Sequence, residues 1–170
     1  MSAQVLNRRS AIAALTFGLP VALVAGGARA QPGIRFRAVR VDVSPLRAMV
    51  GDPTASWVEQ ELSGQLAEGL APYLAPGDRA GATLVARINN IYFGPNSGGT
   101  GVLGSSQDTI EGVLLVMGPQ GALAADTPLR AISSYYPNPF DQPLRVESNR
   151  WRVAALARAF AGWVPRQLGL

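Results

Sequence analysis

Hydrophobic residues recur along this chain with two different periods, and the change of period separates strands from helices. Alternating or β-branched apolar residues mark four predicted strands: 34–43, 82–93, 108–117, and a run that Pro128 interrupts before it resumes at 129–136. In the first predicted strand, the apolar alternation changes phase between Phe36 and Val39, which predicts a β-bulge. The last three predict an antiparallel meander, in which the strand with Pro128 lies at an edge or begins after the proline.

A helical period replaces the alternation in a segment that follows the first strand. Its apolar side chains form one stripe, which consists of Val58, Leu62, Leu66, Leu70 and Tyr73. The predicted helix starts at Asp52 or, one turn later, at a capping box that begins with Ser56. The Pro-Gly pair at 76–77 is expected to end it.

A second helical segment covers residues 149–164, and Pro165 is expected to end it. Its stripe consists of Val153, Leu156, Ala157, Phe160 and Val164. The order β-α-β-β-β-α, with two apolar helix stripes to cover, predicts the α+β class. We expect a two-layer sandwich, in which a mostly antiparallel four-stranded sheet carries both helices on one face.

The first 30 residues have the pattern of a signal peptide. A basic start precedes an apolar stretch at 11–27, and Ala28 and Ala30 form an A-x-A cleavage signal. We therefore expect a cleaved segment at 1–30 and a single domain at 31–170, located in the periplasm or secreted. An uncleaved anchor is the second choice, because glycines and a proline interrupt the apolar stretch.

Arg8 and Arg9 resemble the paired arginines of a twin-arginine export signal, and Arg29 before the cleavage site suits that route. Ala11 departs from the pattern, which prefers Phe there. An ordinary secretory signal with two adjacent arginines explains the segment equally well. Export is predicted by both interpretations.

Composition excludes several kinds of site. The chain contains no His, no Cys and no Lys, so all of its basic residues are Arg. Ser-His-Asp triads, Cys-His pairs, Schiff bases, disulfides and the usual zinc sites therefore cannot be built. Without residues 1–30, twelve basic residues remain against eleven acidic ones, so net charge gives no support to nucleic-acid binding.

The string Gly99-Thr100-Gly101-Val102-Leu103-Gly104 spells the G-x-G-x-x-G of dinucleotide sites. A strand precedes it, but the residues after Gly104 alternate as a strand does, and no helix opens there to receive a pyrophosphate. A connection between two strands is the favoured interpretation. We expect no nucleotide and no other cofactor.

Carboxylates are the remaining candidates for catalysis. Asp108 and Glu111 flank the glycine-rich string, and Asp126 could approach them across the hairpin as in a glycoside hydrolase. The alternating neighbours of Asp108 and Glu111 favour solvated positions on a strand instead. A small carboxylate-dependent hydrolase is therefore the third-ranked function.

Charge is divided unevenly along the chain. The segment 48–129 is acidic and the segment 130–170 is basic, so the two helices are expected to neutralise each other where they pack side by side. The alternative is an anion patch for lipid phosphates or an acidic partner. Its members would be Arg145, Arg150 and Arg152, joined by Arg35 and Arg37.

Aromatic residues supply the last candidate surface. Tyr135, Tyr136 and Phe140 lie among prolines, which is typical of recognition loops and also of a lid over a small core. Three tryptophans lie on the helices and are interpreted as packing residues: Trp57, Trp151 and Trp163.

The element order behind an export signal resembles small cell-envelope proteins such as the lipopolysaccharide-assembly lipoprotein and transport-auxiliary lipoproteins. This chain lacks the lipid-bearing Cys of those proteins. The resemblance implies two helices on a four-stranded sheet and a role as an accessory that binds a partner protein or lipid. We expect an exported, non-catalytic accessory protein of the cell envelope, with an anionic-lipid or anion binder as the alternative.

Overall fold

The computed structural model describes residues 35–95, 106–135 and 145–170, without the side chains at 106, 135, 145 and 146. Four strands and three α-helices lie within these ranges. They are β1 Phe36–Asp42, α1 Ser44–Val50, α2 Thr54–Gly69, β2 Ala82–Tyr92, β3 Ser106–Met117, β4 Leu123–Tyr135 and α3 Arg145–Leu168. The α+β class is confirmed.

The strands form one open sheet in the order β1-β2-β3-β4. β1 runs parallel to β2, as a connection through helices allows, and β2, β3 and β4 form the predicted antiparallel meander. The register of β1 shifts between Phe36 and Ala38, which confirms the bulge. Pro128 lies inside β4 at the edge of the sheet, where a residue without an N–H is tolerated.

The two ends of the sheet carry different connections. β2 and β4 end, and β3 begins, at what we call the distal end. At the opposite, proximal end, β2 begins and a tight turn joins β3 to β4, with the Gly118 N–H donating to the Ala122 carbonyl at 2.7 Å. Gly121 in this turn has a φ of 81°, which suits glycine.

The helices cover one face of the sheet. Buried side chains alternate along the strands and point to the helix side, among them Leu84, Ile88, Ile110, Leu114 and Ala131. The opposite, open face carries half-buried or exposed residues such as Glu111 and Arg130. This alternation of buried and solvated rows is the pattern expected of an antiparallel sheet with one covered face.

Both predicted helix stripes are confirmed as core. Val58, Leu62, Leu66 and Leu70 are fully buried, and each contributes about 2 kcal/mol by leaving water. On α3 the same is true of Leu156, Ala157, Phe160 and Val164. Gly112 of β3 admits the Phe160 ring, because a Cβ at this glycine would lie 3.3 Å from the Phe160 Cζ atom and 2.5 Å from the Arg87 carbonyl oxygen.

The helices differ from the prediction in number and in their boundaries, and α3 begins at Arg145, one turn before the predicted start at 149. α1 was not predicted; it begins at Ser44, with Pro45 in its first turn, where a proline is tolerated. α2 ends at Gly69, before 76–77, because glycine is a poor helix former, and a 3₁₀ turn at Ala71–Tyr73 follows. α3 continues past Pro165 to Leu168, since the buried Val164 and the half-buried Leu168 hold its last turn against the core.

The tryptophans are only partly packing residues. Trp57 packs against the core, as predicted. Trp151 and Trp163 are 52% and 47% exposed, so that prediction was wrong for both. Each extends from the solvent side of α3, whose opposite side supplies the core stripe.

Candidate functional site

The most distinctive polar cluster of the described residues lies at the distal end of the sheet. It joins the residues that follow β2, the first residues of β3 and the start of α3. Its members are Gly94, Asp108 and Arg152, with the Phe93 ring beside them. We call it the distal ion-pair cluster.

Asp108 is 1% exposed, and both of its carboxylate oxygens accept hydrogen bonds. Its Oδ1 atom accepts from the Gly94 N–H at 3.1 Å, and its Oδ2 atom accepts from the Arg152 Nε at 2.7 Å. A further bond from the Arg152 Nη2 to Oδ1 makes the pairing bidentate. This fork geometry gives the strong, charge-assisted form of a carboxylate bond.

Arg152 is 8% exposed and serves more than one partner. Its Nη2 atom also donates to the Gly94 carbonyl oxygen at 2.7 Å, and its guanidinium carbon lies 4.8 Å from the centroid of the Phe93 ring. Gly94 thus receives a bond on its carbonyl and donates one from its N–H within the same cluster. The arrangement fastens α3 to the ends of two strands.

Strand geometry places Asp108 and Gly94 side by side at the distal end. Asp108 lies two residues before Ile110 on β3, so it occupies the covered face, where no water is available to it. Gly94 is required by close approach, because a Cβ there would collide with the Gln107 backbone. The interpretation of Asp108 as a solvated strand residue was therefore wrong, because strand alternation assigned it a face without saying which face α3 would cover.

The energetic role of the cluster follows from its burial. A buried charge without its partner is costly, so loss of either side chain is expected to destabilise the fold by about 3–5 kcal/mol. In the described part of the chain, every buried side-chain nitrogen and oxygen has a hydrogen-bond partner. The cluster can hold the distal end in place, and its carboxylate oxygens are occupied.

The three carboxylates considered for catalysis do not converge. Asp108 faces the helices, whereas Glu111, three residues on, faces the open side of the sheet and pairs with Arg130 at 3.4 Å. Asp126 pairs in register with Leu115, about 13 Å along the strand from Glu111. Glu111 and Asp126 are therefore farther apart than the roughly 5–9.5 Å that separates the two carboxyl groups of a glycosidase.

The five arginines of the predicted anion patch are not brought together. Arg37 donates to the Thr83 hydroxyl at 3.0 Å, at the proximal end, about 30 Å along the strands from Asp108. Arg35 precedes β1 at that same end. Arg152 is buried beside Phe93 and Asp108, so its prediction as a member of an exposed anion patch was wrong.

Arg150 is exposed on the first turns of α3, and the side chain of Arg145 is not described. The partner surface predicted at Tyr136 and Phe140 lies outside the described residues, as does the side chain of Tyr135. The export motif and cleavage signal within 1–30 and the glycine string at 99–104 also lie outside them. These assignments stay predictions.

The predicted packing of an acidic helix beside a basic one is confirmed for α2 and α3. No ion pair joins the two helices among the described side chains; Glu59 of α2 pairs with Arg47 of α1 instead, at 3.1 Å. A groove of about 440 Å³ runs between α2 and α3. It is lined by Gln65, Glu68, Gly69, Arg158, Ala161, Gly162 and Pro165.

A second, shallow hollow of about 350 Å³ lies on the open face around Glu111, Val113 and Pro128. Within residues 35–95, 106–135 and 145–170, no three acidic side chains group closely enough to hold a metal ion. In the same ranges no helix is long and apolar enough to cross a membrane.

Comparison with known proteins gives structural likenesses only. No family model matches the chain, and no curated protein matches it in sequence. The minor lipoprotein from Acinetobacter baumannii is 15% identical, with 79% of this chain and 92% of that chain covered and a TM-score of 0.44. The rare lipoprotein B from Shewanella oneidensis is 12% identical, with 78% and 93% covered and a TM-score of 0.43.

Solved structures similar to this chain therefore include bacterial lipoproteins, in keeping at this coarse level with the resemblance to envelope lipoproteins. At these TM-scores the likeness carries no argument about function.

Proposed function

We propose that this chain is an exported, non-catalytic accessory protein of the cell envelope, which acts by binding a partner in the periplasm or outside the cell. The proposal combines the signal-peptide pattern of residues 1–30 with the chemistry of the described domain. We expect no cofactor and no nucleic-acid partner.

The observation that carries the proposal is the commitment of Asp108 to Arg152. Asp108 was one of the catalytic candidates in the sequence, yet its two oxygens accept from Gly94 and Arg152 in a buried site. A general acid or nucleophile needs an oxygen that can reach substrate. The arrangement supports a structural role for this carboxylate and argues against the hydrolase alternative.

Composition supports the same conclusion. With no His, Cys or Lys in the chain, an enzyme would have to work with carboxylates, hydroxyls and arginines. The carboxylates that remain on the open face, Glu111 and Asp126, lie apart along the strands. A binding role does not require these groups to lie close together.

Export and complex formation are tested together on the full chain with a C-terminal tag, produced in its own host. We expect the tagged chain in the periplasmic or secreted fraction, with an intact mass that begins at Gln31, and in a complex larger than the purified chain alone. Retention in the cytoplasm contradicts the proposal. Glycan hydrolysis that Glu111→Gln abolishes in a folded protein contradicts it as well.

The export route has its own variant. Arg8→Lys combined with Arg9→Lys is expected to keep the chain in the cytoplasm if the twin-arginine route is used, and to leave export unchanged if the general secretory route is used. Arg35→Lys combined with Arg37→Lys is the matched control outside the signal, and its export should be unaffected.

A further inference from the structure

α3 presents an exposed face that its own core does not use. Five residues at spacings of four, three, four and four follow one line along the helix, and they lie opposite the buried stripe. They are Trp151, Ala155, Arg158, Gly162 and Arg166. Trp163 lies beside this line, and we call the six residues the α3 outer face.

The chemistry of this face is aromatic and basic. Trp151 and Trp163 are about half exposed, which leaves much of two large indole rings in water. Arg158 and Arg166 are exposed between and beyond them, and the Arg166 guanidinium lies 5.4 Å from the centroid of the Trp163 ring. A guanidinium stacked on an indole keeps its charge while it shares the apolar environment of the ring.

Charge on α3 is strongly one-sided. The helix carries one acidic residue, Glu147, and five arginines: Arg145, Arg150, Arg152, Arg158 and Arg166. Arg152 is neutralised by Asp108. Arg150, Arg158 and Arg166 form no ion pair within the described part of the chain, and Glu68 of α2, which lines the adjoining groove, is not paired with Arg158.

We propose that the α3 outer face docks on an anionic phospholipid surface, with Trp151 and Trp163 at the level of the headgroups and Arg158 and Arg166 against lipid phosphates. Tryptophan prefers the boundary between apolar chains and water, and a basic surface is drawn to anionic lipid. Ala155 and Gly162 lack long side chains, so the helix backbone can approach the surface between the rings.

This inference deepens the proposed function by naming the surface that an accessory protein of the envelope would meet, and it rests on that proposal. It also changes the predicted anion patch. Arg152 is buried and Arg37 lies at the proximal end, so the basic surface is carried by later turns of α3 instead.

The first experiment locates each tryptophan relative to the bilayer. Three single-tryptophan variants of the exported chain are mixed with vesicles of phosphatidylethanolamine and phosphatidylglycerol that contain brominated acyl chains. Trp57→Phe with Trp163→Phe leaves Trp151, Trp57→Phe with Trp151→Phe leaves Trp163, and Trp151→Phe with Trp163→Phe leaves Trp57. Trp57 is the matched control, because it packs against the core on the neighbouring helix.

We expect the fluorescence of Trp151 and Trp163 to fall at least twofold more than that of Trp57. Absence of quenching at both outer tryptophans, or equal quenching at all three positions, overturns the proposal. Because the readout is specific to a position, attachment through residues 1–30 alone gives the negative result.

The second experiment measures the arginines. Arg158→Gln with Arg166→Gln is expected to weaken binding to the same vesicles about 25-fold, from about fivefold for each basic residue near the surface. Arg40→Gln with Arg79→Gln removes the same charge from exposed positions elsewhere and is expected to change affinity less than twofold. Equal losses in both double variants would mean that net charge, and not the α3 outer face, controls binding.

Vesicles of phosphatidylcholine alone should bind weakly, and added salt should release the chain from anionic vesicles. A different outcome would be that the chain binds none of these vesicles, whereas a photo-crosslinking residue in place of Trp163 joins the chain to an envelope protein. In that case this face is a protein interface and the lipid proposal is wrong. Failure of these tests leaves the export and complex assay above unaffected, so the two proposals can be separated.

Discussion

Two arginine clusters in this domain use the same chemistry under opposite conditions. At the distal end, Arg152 and Asp108 are buried and lie 44 residues apart in sequence. On the surface, Arg47 of α1 contacts Asp52 and Glu59, five and twelve residues away, at 3.2 and 3.1 Å. The side chains of the surface cluster are 41–52% exposed.

The difference teaches what burial does to an ion pair. Water already solvates the Arg47 cluster, so removal of Arg47 leaves the Asp52 and Glu59 carboxylates hydrated, and salt screens their attraction to Arg47 while it is present. The distal cluster has no such alternative, because a charge left in the core after a deletion is neither hydrated nor paired. Removing Arg152 therefore acts on the attachment of α3 to the sheet, while removing Arg47 acts on a local contact.

The largest expected effect comes from Arg152→Ala or Asp108→Ala. Each is expected to lower the free energy of unfolding by about 3–5 kcal/mol, measured by denaturant titration, because each strands the other charge in the core. The double variant Arg152→Met with Asp108→Leu should be less destabilised than the sum of the single losses, with a coupling of about 2–3 kcal/mol. Strictly additive losses would contradict a direct pairing.

Gly94→Ala should have the next largest effect. The added Cβ collides with the Gln107 backbone, which must move, and the Asp108 bond to the Gly94 N–H moves with it. We expect a loss of about 2 kcal/mol or more in unfolding free energy.

Gly64→Ala is the matched control for that variant. Gly64 lies in α2 with nothing within 4 Å of an added Cβ, so alanine should stabilise the helix by about 0.5–1 kcal/mol. A similar loss at both glycines would show that close packing at Gly94 is not the cause.

A smaller effect is expected for Arg47→Ala in the surface cluster. The variant should change the thermal unfolding midpoint far less than Arg152→Ala does, and raising the salt concentration should remove most of that change. Salt should leave the large effect of Arg152→Ala in place. A salt-insensitive loss at Arg47 comparable to that at Arg152 would break the comparison.

Acid provides the smallest and most specific test of the surface contacts. Bonds from Ser56, followed by those from Arg47, hold the pKa of Asp52 below its ordinary value, and the Ser44 backbone N–H, followed by Arg87, does the same to the pKa of Asp42. Their contribution to stability is complete above the ordinary carboxyl pKa of about 4 and is lost as the pH falls through the lower folded-state pKa.

Between pH 7 and pH 5, these two residues should therefore cause no change in the free energy of unfolding. Their stabilising contribution should be lost only below about pH 4. Asp52→Asn with Asp42→Asn should flatten the acid limb of the curve. An unchanged acid limb in the double variant would show that other carboxyl groups cause it.

Much of the fold was readable from local patterns. The stripe from Val58 to Leu70 and the one from Val153 to Val164 identified the core faces of α2 and α3, because a 3.6-residue period needs only one side of a helix to be buried. The bulge near Phe36 followed from the change of phase in the apolar alternation of the first strand. The edge position of Pro128 followed from its missing N–H. Helix ends were less readable, since packing of Val164 and Leu168 carries α3 past Pro165.

The candidate site was not readable in the same way. Asp108 and Arg152 were both noticed in the sequence, but as a catalytic candidate and as a surface cation. Gly94 was not singled out from the glycine-rich connection that follows β2, although a glycine beside a strand is a signal of close backbone approach. Their meeting depends on the direction of α3 across the sheet, and neither alternation nor helical period contains that information.

The sequence by itself determined the α+β order, the two apolar helix stripes, the export signal as a prediction and the absence of His, Cys and Lys chemistry. Only the tertiary structure decided that Asp108 is buried against Arg152, that the carboxylates stay apart, and that Trp151 and Trp163 remain exposed. The physical reason is that periodicity is set between near neighbours in the chain. Burial of a charge or a ring is set by which distant element covers it.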